Sequence, residues 1–385
     1  MNRRVFLLGG MGAVSAPRVK LTAAELWPVR ATPRTVWLLI RLRSDAGVDG
    51  LGEASDAFGI YATTVENVAA MRTELARQFG LLAGRSPFDV EYFRQTSRLD
   101  GLLARTVHSA LEQAMWDMAG KVLDVPVYSL LGGKVRDRLP VYANINRAAT
   151  PRTPEGFAAT AKRAAADGFQ AVKLAPWDNF VDSEAFVDKG IQCLFAVREA
   201  VGPGVRIMTD CHSFFTVPRA VAVAKKLEAV GLDWYEEPVA PERTAETLAI
   251  RRAIKQEMAG GEFLFGVKGF EPLCREKAVD TIMPDVKHCG GVLEMTRIAA
   301  MAEIFAVTVA PHNPTGPVST AASIQLCAGM KNFRVLELQW GEVEWRGALV
   351  RPAERFERGT IAAPSGPGFG ITLNEDLARE KRMGV

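Results

Sequence analysis

The spacing of apolar positions changes character along the chain. Residues 19–29 and 35–43 form extended apolar runs, joined through Pro28 and Pro33 and closed by the turn formers Asp45-Ala46-Gly47. Such a pattern predicts an antiparallel meander. Over 63–79 and again over 106–123 the apolar positions recur every three to four residues, with Ala110, Ala114, Trp116 and Met118 on or beside one face. Helices are expected there. The first 135 residues, taken as a unit over 17–135, therefore read as a small α+β domain.

After Gly132-Gly133 short apolar runs alternate with amphipathic stretches, the pattern of βαβ units and a parallel sheet. Strands are expected at 141–146, 171–176, 206–211, 233–238, 258–262, 281–286, 306–312 and 334–339. Helices fit between them, for example over 155–167, 218–230 and 292–305. Eight βα repeats in about 200 residues predict a (β/α)8-type barrel, assigned to 136–339. The Gly- and Pro-rich tail, 340–385, is expected to pack back on the first domain.

Composition agrees with this division, because 385 residues exceed what one hydrophobic core usually supports. A net charge of +3 over 47 basic and 44 acidic side chains gives no electrostatic case for nucleic acid. No apolar run after the N-terminus approaches the roughly 18 residues of a membrane span. The cysteines, Cys193, Cys211, Cys274, Cys289 and Cys327, are widely spaced without a CxxC pair, so buried free thiols are expected rather than disulfides or zinc. At the N-terminus Arg3-Arg4-Val5-Phe6-Leu7, an apolar stretch from Leu8 and the small-residue end Val14-Ser15-Ala16 look like a twin-arginine export signal over 1–16. Pro17 is unfavourable directly after the cleavage point. Export to the periplasm is the expectation, a cytoplasmic location the alternative.

Barrel chemistry gathers at the C-terminal ends of the strands. Those ends carry Lys173, Asp210, His212, Glu236 with Glu237, Glu262, Asp285, His312 and Glu337. One strand-end carboxylate is usually a helix cap or a surface ion pair. Asp210, Glu236 and Glu262 on successive strands are harder to explain that way, and together they make an all-oxygen site suited to Mg2+. Of the four histidines, His212, His288 and His312 fall at strand ends and His108 does not. His312 with Asp285 on the neighbouring strand reads as a dyad in which the carboxylate orients a basic ring.

With the segment 110–117, Gly120-Lys121 and Leu130-Leu131-Gly132-Gly133, these residues resemble the enolase superfamily, specifically the mandelate racemase group, over nearly the whole chain after residue 17. The resemblance implies a modified TIM barrel under an α+β cap, with Asp210, Glu236 and Glu262 as Mg2+ ligands. Period-two alternation agrees that only one of Glu236 and Glu237 points inward. Asp285 stands where the muconate-lactonizing branch has lysine, which favours the racemase-type dyad. Asp285-Val286-Lys287-His288-Cys289-Gly290-Gly291, Ala310-Pro311-His312-Asn313-Pro314 and His212, two residues after the first ligand, look most like the galactonate dehydratases. Cys211 and Asn313-Pro314-Thr315 depart from that pattern.

The implied reaction is loss of water from an aldonate-type sugar acid. His312 removes the proton alpha to the carboxylate, and His212 protonates the departing 3-hydroxyl to leave a 2-keto-3-deoxy acid. Glu337, if its pKa is raised, would donate a hydrogen bond to a carboxylate oxygen. Lys173 would pair with the substrate carboxylate or act as a second base, although the racemases repeat a lysine where Ala175 stands here. Two other readings stay open: a racemase or epimerase using Lys173 and His312, and a catalytically silent sugar-acid-binding protein. The loop 55–61 is placed to close over the mouth, with Asn144, Asn146 and Arg147 as hydroxyl contacts. The expected partners are a small-molecule carboxylate and further copies of the chain, with no nucleic acid and no membrane span.

Overall fold

The first segment folds as a three-stranded antiparallel sheet, β1 (Leu21–Arg30), β2 (Val36–Ser44) and β3 (Gly50–Glu53), in that order. The computed structural model describes residues 18–384, so the export-like motif lies outside the described residues. The third strand has no alternating apolar pattern to announce it, for a steric reason. A Cβ on Gly50 or Gly52 would stand 2.0 Å from the carbonyl oxygen of Ala114 or Ala110, so a helix packs directly on bare strand backbone.

Helix α1 (Val65–Phe79) starts at a capping box in which Thr64 and Asn67 exchange side-chain and backbone hydrogen bonds. A shorter helix α2 (Val90–Thr96) precedes α3 (Gly101–Val122), which begins five residues before the periodicity predicted. That helix is buried on nearly every face, which erases the amphipathic stripe a sequence reading depends on. The turn of helix α4 (Val127–Leu130) leads into the second domain.

Eight parallel strands follow: β4 (Arg138–Asn144), β5 (Ala171–Leu174), β6 (Arg206–Asp210), β7 (Trp234–Glu236), β8 (Met258–Gly260), β9 (Thr281–Ile282), β10 (Thr308–Val309) and β11 (Leu336–Gln339). They pair in sequence from β4 to β10, and β11 returns to β4 with Glu337 opposite Tyr142. The β10–β11 seam is thin, held by the bridge Val309–Phe333. Crossover helices are α5 (Pro154–Ala166), α6 (Glu184–Val201), α7 (Val217–Lys226), α8 (Thr244–Ala253), α9 (Gly266–Arg275), α10 (Gly291–Ile304) and α11 (Pro317–Gly329). Seven helices therefore serve eight strands, where the sequence suggested eight full repeats.

The tail takes the place of the eighth helix. It contributes β12 (Val350–Arg351), a hairpin of β13 (Phe356–Glu357) and β14 (Thr360–Ala362) on the start of β4, then β15 (Thr372–Leu373) and α12 (Glu375–Glu380). Its end lies on the capping domain, where Arg41 Nη2 reaches Glu375 Oε1 at 2.6 Å and Arg30 N donates to the Lys381 carbonyl.

Inside the barrel, one residue from each strand position forms a floor: Tyr142, Ala171, Met208, Trp234, Ala259, Met283, Ala310 and Val335, all buried. Side chains alternate along a strand, so residues two places further on face the same interior one layer higher. Seven of these are Asn144, Lys173, Asp210, Glu236, Asp285, His312 and Glu337. On the remaining strand Gly261, at φ 109°, breaks the count and Glu262 takes the place.

Two buried carboxylates tie the cap to the barrel at the helix N-termini that follow the β9 and β10 loops. Glu53 accepts from Gly316 N at 2.8 Å, Ser319 N at 2.9 Å and the Thr315 hydroxyl at the start of α11. Glu112 accepts from Val292 N at 2.6 Å and Leu293 N at 2.9 Å at the start of α10. Both satisfy N–H groups a helix cannot bond internally and meet the positive end of its dipole. Glu53→Ala should cost about 2–4 kcal/mol, since it removes the acceptor of three buried donors. A smaller loss is expected for Glu53→Gln, and urea melts of the two variants would check the order.

Candidate active site

The layer above the floor brings charged groups into contact. Asp210 and Glu236 are direct cross-strand neighbours, and one carboxylate oxygen from each of Asp210, Glu236 and Glu262 lies within 4.8 Å of the others. Glu262 Oε2 is buried without a hydrogen bond, and His312 Nε2 stands 3.2 Å away without the alignment of one. An acceptor stranded beside two further carboxylates fits a divalent cation with oxygen ligands. Glu237, the partner in the Glu-Glu pair, points elsewhere: its Oε1 accepts from Gly261 N at 2.6 Å and Glu262 N at 3.2 Å, which fixes the arm carrying Glu262.

Burial raises the pKa values of Glu236 and Glu262 well above the usual carboxylate range, and the neighbouring carboxylates add to the rise. Asp210 goes the other way, because His212 and Lys173 outweigh its burial and hold it ionised. Lys173 lies fully inside, with Nζ 2.8 Å from Glu236 Oε1, 3.0 Å from Glu337 Oε1 and 3.8 Å from Asp210 Oδ2. These anions overcome the burial penalty and keep it charged. An ammonium so engaged is no free base.

Glu337 overturns one expectation. Burial pushes it up, but Lys173, His312 and hydrogen bonds from Asn313 N and Asn144 Nδ2 outweigh that, so its carboxyl sits below the usual range. Its oxygens accept from Asn313 N and Asn144 Nδ2, an arrangement that favours the charged form.

The two mouth histidines are built alike. His312 Nδ1 lies 2.7 Å from Asp285 Oδ2, and Lys287 Nζ holds the same oxygen at 2.6 Å. His212 Nδ1 lies 2.6 Å from Asp178 Oδ1, and Arg152 Nη2 holds Asp178 Oδ2 at 3.0 Å. Both Nε2 atoms face the triad, that of His212 at 3.1 Å from Asp210 Oδ2. Burial lowers the pKa of His212, yet Asp210 and Asp178 together raise it well above the ordinary value. Asp178 escaped the sequence reading because it lies on a loop four residues past β5, outside any strand period; Lys287 did keep that period, two places after Asp285.

His288 does not join this group. It is wholly buried, its Nδ1 meets the Thr106 hydroxyl at 2.9 Å, and desolvation drops its pKa to about 3. His108 is likewise internal, stacked on Phe93. Asn144, Asn146 and Arg147 all line the cavity, but each already has protein partners: Glu337, Ala175 N, and the pair Asp56 and Glu342 respectively. Asp56, Gly59 and Ile60 of the 55–61 loop form part of the wall, with Arg34 donating to the Ile60 carbonyl.

An α+β cap over a barrel mouth ringed with acids, bases and an oxygen-ligand triad defines a capped-barrel enzyme. Residues 20–132 match the mandelate racemase / muconate lactonizing enzyme N-terminal domain, and residues 156–377 match the enolase C-terminal domain-like family. The chain belongs to the mandelate racemase group of the enolase superfamily. It is 31% identical over 383 residues to the D-xylonate dehydratase of Haloferax volcanii, covering 94% of this chain and 90% of that protein. The D-galactonate dehydratase of Ralstonia pickettii is 31% identical over 370 residues, 93% of each chain. The crystal structure of a mandelate racemase/muconate lactonizing enzyme from Jannaschia sp. CCS1 superimposes with a TM-score of 0.85 at 29% identity, over 95% of this chain and 98% of that one.

Raised pKa values at Glu236 and Glu262 carry a definite sign. The folded protein keeps these protons to higher pH than the unfolded chain does, so without a cation it loses stability as pH rises through the raised values. Cation binding must expel them. Mg2+ affinity should therefore weaken as pH falls, with proton release visible as a buffer-dependent heat in titration calorimetry. The rise in Tm on adding Mg2+ should be larger at about pH 8 than at about pH 6; equal rises would contradict the assignment.

Proposed function

We propose that the protein is a Mg2+-dependent dehydratase of an aldonate-type sugar acid. The observation that carries this reading is the pair of histidines, each tied at Nδ1 to a carboxylate and presenting Nε2 to the carboxylate triad. Related proteins named for dehydration of D-xylonate and D-galactonate support it. Asp210, Glu236 and Glu262 would hold Mg2+, which would supply positive charge against the negative charge that builds up on a substrate carboxylate.

His312 Nε2 takes the proton from C2 while Asp285 faces Nδ1 and steadies the ring. The C2–C3 double bond forms as the C3–O bond breaks, and His212 Nε2 gives its proton to the departing oxygen, which leaves as water. The resulting enol tautomerises to the 2-keto-3-deoxy acid. Lys173 and Glu337, locked to each other and to Glu236, hold the electrostatic frame rather than moving protons. That engagement counts against a racemase with Lys173 as second base. The two anchored histidines count against a silent binding protein.

Wild type incubated with Mg2+ and a panel of aldonic, aldaric and uronic acids should form a 2-keto product from at least one aldonate. His312→Asn should lose both C2 exchange and dehydration, and His212→Asn dehydration by about 100-fold or more. Full dehydration by His312→Asn would sink the dyad. Loss of no acid's water alongside C2 exchange would favour epimerisation. Export by the twin-arginine route is a separate proposal, resting on Arg3-Arg4 and checked by whether the mature protein begins near Pro17.

A further inference from the structure

The structure assigns Asp178 as a positioning residue for elimination, the partner that aims His212 at the leaving hydroxyl; this rests on the dehydratase reading. The His212 ring could have pointed in several directions from a loop. Three features remove that freedom.

The first is the backbone. His212 at φ 45° and Ser213 at φ 61° both occupy the left-handed region, which non-glycine residues enter at a cost. Ser213 N donates to the Glu237 carbonyl at 2.7 Å, and His212 N to Asp210 Oδ1 at 2.9 Å. The strained turn folds the ring back over the mouth.

The second is the carboxylate. Asp178 Oδ1 stands 2.6 Å from Nδ1, so that nitrogen is spent and Nε2 is turned to the triad, 3.1 Å from Asp210 Oδ2. Of the two acids touching the ring, Asp178 is the one that does not double as a metal ligand.

The third is the mounting of Asp178 itself. Arg152 bonds Asp178 Oδ2 at 3.0 Å and also the carbonyls of Asn146 at 2.9 Å and Ala175 at 2.6 Å, which clamps the ends of β4 and β5 to the loop. Next to Asp178, the Trp177 ring is buried over Gly190, where a Cβ would lie 2.0 Å from Nε1. A residue that only filled space would not need so rigid a seat. The arrangement repeats the His312–Asp285–Lys287 chain on the other side of the triad, with a guanidinium in place of the ammonium.

A role in aiming the acid separates two readouts that a general structural role would not. In D2O with Mg2+ and a panel of aldonates that includes D-xylonate and D-galactonate, C2–H exchange follows His312 while 2-keto acid formation needs both histidines. Asp178→Asn should lower kcat for dehydration about 30- to 100-fold with KM changed less than about threefold, and raise the ratio of exchange to dehydration at least tenfold. Asp178→Glu, which keeps the carboxylate, should recover part of that ratio. Exchange and dehydration falling by the same factor in both variants would overturn the assignment, as would dehydration within about threefold of wild type. If the wild type dehydrates no acid in the panel, the dehydratase reading falls and takes this one with it; if it dehydrates normally and the ratio does not move, only Asp178 is misassigned.

Discussion

Glu53 and Glu112 seat the capping domain on the barrel by placing buried carboxylates on the N-termini of α11 and α10. A carboxyl oxygen buried at a helix N-terminus is satisfied only while the N–H groups stay in place, and those N–H groups lack internal partners without it. Each domain therefore completes the other. The two helices start directly after the loops carrying Asp285 and His312, so the same contact that docks the cap holds the basic half of the site. Three residues beyond Glu53, Asp56 enters the cavity wall, which ties the roof to the same anchor.

Within that frame the mouth is an alternation of sign rather than an acidic pool. Lys173 sits among Asp210, Glu236 and Glu337, Lys287 against Asp285, and Arg152 against Asp178. Each cation lowers the cost of keeping a carboxylate ionised in a desolvated site. Among the described residues Glu262 is the one member of the triad without an ion-paired lysine or arginine, and its Oε2 is buried without a hydrogen bond. The imbalance is local and falls within the triad.

Much of this was legible in the chain because barrel strands count in twos. The strand-end residues Lys173, Asp210, Glu236, Glu262, Asp285, His312 and Glu337 were all picked out, and the structure brings them to one layer. What escaped had physical causes. β3 hides because its glycines exist to admit a helix, not to present side chains. Asp178 and Arg152 reach the site from loops, where spacing carries no directional information. The condition attached to Glu337, a raised pKa, could not be decided from spacing, since sequence alone does not show that Lys173 touches it. His288 lies in the turn beyond β9, one place off the Asp285–Lys287 period, and its ring meets Thr106 of α3 instead of the mouth.

The floor of one buried side chain per strand position has its own consequence for how such a protein can vary. Floor and chemistry lie on the same face of the same strands, two residues apart, so a single inserted or deleted residue within a strand would turn both away from the interior and onto the helix-facing side. Length changes are confined to the loops. Point substitutions in the upper layer are free of that constraint, because they leave the plug beneath them packed, and a barrel of this construction can exchange its reactive groups one at a time while keeping the same foundation.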